Sequence, residues 1–239
     1  MARKKSSSLV RVKSEDFPLD NFIRLTFKKF KLTDKQKQFL RIAFDPNTKI
    51  VFLNGPAGSS KSFCAIYAAL KIFSQDQEKE IVYVRTIAES GERSLGSLPG
   101  AVNEKVDPFG TPLFDKLEEI LDKEQSKELT EKGVIKFIPI NFSRGNNWKD
   151  KVVIFDEAQN FTKKELITGL TRIAENTKYF FCGDLMQSDI NGKSGLKEIC
   201  SKFDTEKSAA NGIHVFNFTK DDIMRSEILK FIIEVLEKD

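Results

Sequence analysis

The chain has few of the residues that build metal centres and disulfide frameworks. Its 239 residues include one histidine, three cysteines and one tryptophan. Cys64, Cys182 and Cys200 are odd in number and widely separated, so we expect reduced, buried thiols, as is typical of cytoplasmic proteins. No group of cysteines and histidines has the spacing of a zinc site. The single histidine, His214, falls in a strand-like run, which favours a structural role.

Long apolar runs are also missing. No stretch approaches the roughly 18 consecutive apolar residues of a transmembrane helix, so neither a membrane span nor a membrane partner is predicted. Residues 1–20 are basic and serine-rich but lack the apolar core of a secretory signal, and we expect a disordered tail. The chain as a whole is 40% hydrophobic and 31% charged, which is typical of a globular protein with room for one domain, residues 21–239.

Positive charge is concentrated ahead of residue 50. Residues 1–49 hold 13 Lys and Arg against 5 Asp and Glu, whereas the rest of the chain holds 26 against 30. The net charge of the whole chain is only +4. The basic excess could attract nucleic acid or another polyanion, and a solvated tail accounts for it equally well.

What the chain does contain is a glycine-rich loop between an apolar run and a helical pattern. The apolar run is Ile50–Leu53, and the helical pattern starts at residue 61. Backbone N–H groups of such a loop, together with the N-terminus of the helix, form a cradle for phosphate. The residues assigned to nucleotide binding are Gly55, Pro56, Ala57, Gly58, Ser59, Ser60, Lys61 and Ser62.

Two side chains of this loop have chemical roles. We expect Lys61 to reach the β- and γ-phosphates and the hydroxyl of Ser62 to ligate Mg²⁺. Ser60 departs from the usual pattern, which has glycine there because glycine adopts positive φ without a steric cost. The alternative interpretation is an ordinary glycine-rich turn followed by a chance Lys-Ser pair.

Strand-like and helical patterns alternate along the chain, which predicts a parallel, doubly wound sheet. The predicted strands are Ile50–Leu53, Ile81–Val84, Val134–Phe142, Lys151–Asp156, Lys178–Cys182 and Ile213–Phe218. The predicted helices are Lys31–Phe44 with a capping box at Thr33, one from the loop to about Ser74, Leu113–Lys132, one from Thr162 to about Glu175, and Asp221–Glu237. Pro139 favours an edge position or an early end for its strand. The long connection Arg85–Pro112 is rich in glycine and proline, which favours a functional segment.

Asp156 and Glu157 follow four apolar residues directly. Ligand sites of parallel sheets lie at the carboxyl ends of the strands, so these carboxylates should meet the glycine-rich loop at one edge. Asp156 would then hold Mg²⁺ through Ser62 and water, while Glu157 would orient and deprotonate an attacking water. The alternative is that the acidic pair is only a polar entry to a helix.

Five segments together resemble the PhoH family of ATPases: GPAGSSKS, LPGAVNEKVDPFGTPLFDKL, SRGNNW, VVIFDEAQNFT and LTRIAENTKYFFCGDLMQSD. That family is similar to the first motor domain of superfamily 1 helicases such as RecD, and the resemblance covers about Lys31 to Leu236. It implies an α/β fold, a single RecA-like P-loop NTPase domain with a mostly parallel sheet flanked by helices. It also implies ATP and Mg²⁺ as cofactors, a homo-oligomer that is a hexameric ring, and single-stranded RNA or DNA as a partner.

The resemblance also assigns roles to single residues. Gln187, in the segment GDLMQ, matches the glutamine that senses the γ-phosphate, and Gln36 matches the adenine-reading glutamine. Gln36 also completes the capping box of its helix, and the two roles are compatible. Arg225 is the leading candidate for the arginine that stabilises charge on the γ-phosphate. Arg172 and Arg144 are weaker candidates.

In related motors the region corresponding to Arg85–Pro112 grips single-stranded nucleic acid. The polar candidates there are Arg85, Glu92, Arg93 and Lys105. Asn146 departs from the family pattern, which has a second arginine at that position.

Two classes of function therefore remain open. One is a Mg²⁺-dependent ATPase coupled to single-stranded nucleic acid in a helicase-like ring. The other is a nucleotide-gated oligomeric regulator that binds RNA or protein without motor activity. A small-molecule kinase is disfavoured, because the DEAQN and GDLMQ segments belong to no kinase acceptor site.

Overall fold

A sheet of six strands forms the centre of the fold, which a computed structural model describes for residues 22–86, 102–140, 148–187, 194–223 and 235, with the backbone alone for 102–109. The strands are β1 (Ile50–Asn54), β2 (Glu80–Arg85), β3 (Ile135–Pro139), β4 (Lys151–Phe155), β5 (Lys178–Gly183) and β6 (Ile213–Asn217). Their order across the sheet is β3-β2-β4-β5-β1-β6, and every adjacent pair is parallel.

Seven α-helices occur in the described ranges. They are α1 (Asp34–Phe44), α2 (Lys61–Gln75), α3 (Val102–Ile120), α4 (Lys123–Glu131), α5 (Lys163–Leu170), α6 (Leu196–Phe203) and α7 (Glu206–Ala210). None of the helices described here combines the length and the apolar character that crossing a bilayer requires. The predicted fold class is confirmed: the described residues form an α/β fold in which helices flank a parallel sheet.

Successive strand residues alternate between two hydrophobic cores, so helices cover both faces of the sheet. In β1, Val51 and Leu53 belong to the core that contains α1 to α4, whereas Ile50 and Phe52 belong to the core that contains α5 and α6. This period of two is what a strand buried on both faces requires. Because all six strands run in one direction, their carboxyl ends share one edge of the sheet.

Several local predictions are confirmed. Thr33 Oγ1 accepts a hydrogen bond from the Gln36 N–H at 3.1 Å, and Gln36 Oε1 accepts one from the Thr33 N–H at 2.9 Å, which is the predicted capping box. The strand that contains Pro139 is at the edge of the sheet and ends at that proline. All three cysteines are free and buried.

The predicted connection Arg85–Pro112 is wrong in its last part, because α3 begins at Val102. Prolines within its length led to the expectation of irregular backbone. Leu113, Leu117 and Ile120 lie on one face of the helix and are all buried. Burial of this stripe outweighs the low helix propensity of proline and glycine.

Two other helix predictions are wrong in extent. The single helix predicted over Leu113–Lys132 is two helices, because Asp122 leaves the first and caps α4 by accepting a hydrogen bond from the Gln125 N–H at 2.8 Å. The helix predicted to reach Glu175 ends at Leu170, where the chain turns toward β5. The helices α6 and α7 were not predicted from the sequence.

Some predictions lie outside the described residues. They concern the tail 1–20, residues 87–101 of the long connection, the end of the strand predicted to reach Phe142, and most of the helix predicted over Asp221–Glu237. A short 3-10 turn, Lys220–Asp222, overlaps the start of that last range, and Val235 within it is helical.

Two glutamine side chains form hydrogen bonds with the main chain of the segment that precedes α1, which has no regular secondary structure. The Ile23 N–H donates to Gln77 Oε1 at 2.9 Å, and Gln77 Nε2 donates back to the Ile23 carbonyl at 2.6 Å. Gln125 makes a similar pair of bonds, accepting from the Thr26 N–H at 3.0 Å and donating to the Arg24 carbonyl at 2.7 Å. The segment is thus held through its main chain against α4 and the turn that follows α2.

Candidate functional site

The loop between β1 and α2 contains two residues with left-handed backbone. Gly58 has φ 81°, and Ser60 has φ 64° and ψ 26°. Ser60 therefore adopts the conformation for which glycine is usual at this position. Its side chain makes no capping hydrogen bond to α2. The first amides of this 15-residue helix are left without a side-chain acceptor from Ser60, which favours an anion at that end.

Lys61 opens α2 and folds back over the loop. Its Nζ donates to the carbonyl of Gly55 at 2.7 Å and to that of Pro56 at 2.9 Å. Burial lowers the pKa of the Lys61 ammonium, and the nearby carboxylate of Asp184 opposes that shift. The ammonium is therefore partly desolvated and is held by the carbonyls of the loop between β1 and α2.

Asp156 follows β4 directly and is only 4% exposed. Its Oδ1 accepts a hydrogen bond from Ser62 Oγ at 2.5 Å, and its Oδ2 accepts one from the hydroxyl of Tyr83. Its backbone N–H donates to the Val84 carbonyl at 2.8 Å. Both carboxylate oxygens are thus engaged by hydroxyl groups, one from α2 and one from β2.

Glu157 has a strained backbone and a held side chain. Its φ of 53° is in the left-handed region. Gln159 Nε2 donates to Glu157 Oε2 at 2.6 Å, and Arg85 Nη2 lies 3.7 Å from Glu157 Oε1. The carboxylate is therefore kept at the carboxyl ends of β2 and β4, beside Asp156.

Gln159 also connects this group to the end of β5. Its Oε1 accepts a hydrogen bond from the Asp184 N–H at 3.1 Å, while Asp184 Oδ1 accepts one from the Met186 N–H at 2.9 Å. Gly183 allows Gln159 and Leu196 to pack closely against the end of β5. A Cβ at position 183 would lie 2.4 Å from Leu196 Cδ2 and 3.2 Å from the Gln159 main-chain nitrogen. The ends of β4 and β5 are in this way linked through one buried amide.

These groups line a cleft of about 770 Å³ at the carboxyl edge of the sheet, a volume within the usual range of ligand pockets. The predicted site residues that line it are Gln36, Ala57, Gly58, Ser60, Lys61, Ser62, Asp156, Glu157 and Gln187. Gly55, Pro56 and Ser59 belong to the loop but do not line the cleft. Arg225 and Arg144 lie outside the described residues, as do Glu92, Arg93, Asn146 and the side chain of Lys105.

Arg172 is not among the residues that line the cleft. Its charge acts instead on Tyr179, near the start of β5, which is at the opposite edge of the sheet from the strand ends that carry Asp156. Among the described arginines, the one that lines the cleft is Arg85.

Several residues of the site were not predicted from the sequence. Asp184 follows a buried strand directly, and the same strand-end argument that selected Asp156 could have found it. Tyr83 and Gln159 gave no such signal, because a tyrosine within a buried strand is typical of core packing and a glutamine after Glu157 is typical of a turn. Their roles depend on which strands are neighbours.

The residues around Asp156 fit a magnesium ion. Mg²⁺ prefers oxygen ligands and is held by one or two carboxylates, with phosphate and water completing its shell. Ser62 Oγ and Asp156 Oδ1 supply such oxygens 2.5 Å apart. Within the described ranges, no cluster of three or more His, Cys, Asp or Glu side chains could hold a metal by itself. Any Mg²⁺ here would therefore take most of its ligands from a bound nucleotide and water.

Comparison with known proteins gives one family. A family model described as "PhoH-like protein" matches residues 30–237. A PhoH-like protein of Bacillus subtilis (strain 168) is 36% identical over 194 residues, which are 79% of this chain and 58% of that protein. One of Mycobacterium tuberculosis (strain ATCC 25618 / H37Rv) is 35% identical over 204 residues, 84% of this chain and 56% of that protein. The chain thus spans little more than half the length of these curated relatives.

Solved structures resemble the chain more distantly. The large terminase of a thermophilic bacteriophage, in complex with ADP, aligns with 87% of this chain and 51% of its own, at 12% identity and a TM-score of 0.47. A likeness of this size does not bear on what the chain binds.

Proposed function

The chain belongs to the PhoH-like protein family, and because it also has the fold of a P-loop NTPase, we propose that it binds ATP with Mg²⁺ and hydrolyses it. The observation that carries this proposal is the 2.5 Å hydrogen bond between Ser62 and Asp156, which are 94 positions apart. An ordinary glycine-rich turn does not need a buried carboxylate against the hydroxyl that follows its lysine. A phosphate-binding loop with a metal does.

The start of α2 and the ammonium of Lys61 support placing the β- and γ-phosphates over the loop. The partial positive charge of the helix N-terminus favours an anion there. Lys61 Nζ now donates to the carbonyls of Gly55 and Pro56. An ammonium on a flexible stem can exchange such acceptors for phosphate oxygens, because it carries three donors.

Ser62 and Asp156 are the residues that would hold Mg²⁺. The bound ion would neutralise charge on the β- and γ-phosphates. Asp156 remains acceptor-only as long as it is ionised, and Ser62 turns its hydroxyl between acceptor and donor as the site fills.

We assign to Glu157 the role of general base for the attacking water. Its carboxylate would orient the water and accept a proton as the phosphoryl group passes from ADP to the water oxygen. Gln159 and Arg85 support this assignment, because they hold the carboxylate over the cleft.

Gln36 and Gln187 would contact the two ends of the nucleotide. Gln36 would contact the adenine base while keeping its capping bonds, and Gln187 would respond to the γ-phosphate.

We assign to Arg225 the role of the arginine that stabilises charge on the γ-phosphate, contributed by a neighbouring copy in a homo-oligomeric ring of six. The proposed macromolecular substrate is single-stranded RNA or DNA, for which Arg85 supplies a cation among the residues that line the cleft.

Steady-state ATP turnover and equilibrium nucleotide binding test the proposal together. Lys61→Ala should abolish turnover and weaken binding. Glu157→Gln should bind nucleotide like the parent while turnover falls about 100-fold or more, the range that general-base catalysis supplies. The matched control is Glu131→Gln, the same chemical change on the exposed end of α4, which should leave both quantities unchanged. Parent-like turnover by Glu157→Gln would remove Glu157 from this role.

The non-motor regulator is separated from the motor by a second measurement. Turnover is compared with and without single-stranded RNA or DNA, alongside the mass of the assembly. Strong stimulation supports the motor. Unstimulated, slow turnover in an assembly whose size changes with nucleotide supports the gate instead.

A further inference from the structure

Tyr83 is a fully buried residue in the middle of β2 whose hydroxyl reaches the proposed nucleotide site. Its side chain is 0% exposed, and the hydroxyl donates to Asp156 Oδ2. The contact follows from strand register: β2 and β4 are parallel neighbours, with Tyr83 opposite Ile154 and Val84 opposite Phe155. The long phenol ring spans the two remaining positions to Asp156.

The two oxygens of Asp156 have different donors. Oδ1 accepts from Ser62 on the cleft side, and Oδ2 accepts from Tyr83 on the core side. The torsion that turns a carboxylate plane is broad, so a single hydrogen bond fixes it poorly. With a donor on each oxygen, the plane is held so that Oδ1 stays beside Ser62.

Tyr83 is suited to be a permanent donor. A phenol carries one O–H donor, and in Tyr83 that donor is bonded to Asp156 Oδ2. Its ring contacts Phe137, with centroids 6.2 Å apart, so the side chain also has a fixed position in the core.

We propose that Tyr83 is a positioning residue for the divalent cation of this site: it orients the Asp156 carboxylate so that Oδ1 is presented to Mg²⁺ beside Ser62. This inference rests on the proposed function and adds a residue to it. Partners that hold metal-binding carboxylates from behind contribute about 10- to 100-fold to metal affinity.

Burial alone does not explain the bond. Tyr179 is also a fully buried tyrosine, on β5, and its Oη has no hydrogen-bond partner among the described residues. The fold therefore accommodates a buried tyrosine hydroxyl without an acceptor. At Tyr83 the acceptor is the carboxylate of the site. Tyr179 packs in the other core, against Trp148 and Phe155, so it provides a matched control.

The experiment measures the dissociation constant of ATP for the parent, Tyr83→Phe and Tyr179→Phe, each with excess Mg²⁺ and with EDTA. The dissociation constant in EDTA divided by the constant with Mg²⁺ reports how much Mg²⁺ tightens the binding of ATP. Tyr83→Phe should reduce this ratio about tenfold while leaving the constant in EDTA unchanged. Tyr179→Phe should match the parent in both conditions.

Other outcomes overturn the inference in distinguishable ways. An unchanged ratio in Tyr83→Phe, or an equal loss with Mg²⁺ and with EDTA, means that Tyr83 only packs. No nucleotide binding by the parent in either condition refutes the proposed function, and the inference falls with it. As a second measurement, Tyr83→Phe is made in an Asp156→Asn background. There it should change the ratio no further, and any additional loss contradicts an action through Asp156.

Discussion

Replacing Ser60 by glycine is expected to stabilise the protein in the absence of nucleotide. Ser60 has φ 64° and ψ 26°, a left-handed conformation. It costs a residue with a side chain about 1–2 kcal/mol relative to the right-handed one. Glycine removes that cost, but the greater freedom of the unfolded chain offsets about 0.4–1 kcal/mol of the gain. The free energy of unfolding should therefore rise by about 0.5–1 kcal/mol.

Thermal unfolding at fixed pH and salt measures the effect. A gain of this size corresponds to a rise in Tm of about 1–4 °C for a chain of this length. Ser60→Ala is the first control, because it keeps the Cβ and removes a hydroxyl that makes no capping bond. Its stability should stay within about 0.5 kcal/mol of the parent. Gly58→Ala is the second control, since φ is 81° there and the added Cβ should lower stability by about 1 kcal/mol.

Two results would refute the reasoning. A Tm of Ser60→Gly at or below that of the parent would show that the left-handed backbone of Ser60 carries no recoverable strain. Equal gains in Ser60→Gly and Ser60→Ala would assign the effect to the hydroxyl instead of the backbone. Nucleotide affinity measured on the same variants tells whether the stiffer loop with serine binds phosphate differently.

Three further predictions concern other parts of the fold. Burial raises the pKa of the Cys64 thiol to about 12, and all three cysteines are buried, so a thiol reagent at about pH 8 should label the native protein slowly and the urea-unfolded protein at once. Gly183→Ala should lower the unfolding free energy by about 1–3 kcal/mol in urea denaturation, because the new Cβ would lie 2.4 Å from Leu196 Cδ2. Hydrogen bonds from Lys163 and Lys202 lower the pKa of Glu198 to about 2 from its ordinary 4.5. The stabilisation by this carboxylate is therefore complete above pH 4.5 and lost as pH falls toward 2.

Each of these predictions has a result that contradicts it. Rapid labelling of the native state at a rate independent of urea would show open thiols. A Gly183→Ala variant as stable as the parent would show that the side chain of Leu196 moves aside freely. For Glu198, the comparison is with Glu198→Gln in urea at several pH values. A difference between the two proteins that does not shrink below pH 4.5 would mean that the carboxylate acts by packing.

The strands and the meeting of the loop with Asp156 could be predicted because each depends on a short stretch of sequence. Four or five apolar residues followed by a polar one locate a buried parallel strand and the edge at which it ends. The extent of α3 could not be predicted in the same way, because a buried stripe of leucine and isoleucine outweighs prolines whose local preference is against a helix. Local propensity loses to packing there.

The hydrogen bond of Tyr83 could not be predicted either. It depends on β2 and β4 being neighbours in a particular register, which is a property of the whole sheet. Asp184 is a different case, since its position directly after a buried strand was visible and the rule applied to Asp156 covers it. Sequence therefore locates the ends of strands, whereas the contacts between strands come from the assembled sheet.

The glutamine fastening of the segment before α1 has a consequence for how this part of the chain can vary. Gln77 and Gln125 form hydrogen bonds with main-chain N–H and C=O groups of that segment. These bonds therefore do not depend on which side chains the segment carries. Amino-acid exchanges at Arg24 and Thr26 should accumulate freely over generations, while the two glutamines should resist replacement even though neither touches the cleft. Substitutions would thus be tolerated in the segment itself but not at the two glutamines whose side chains bond to its main chain.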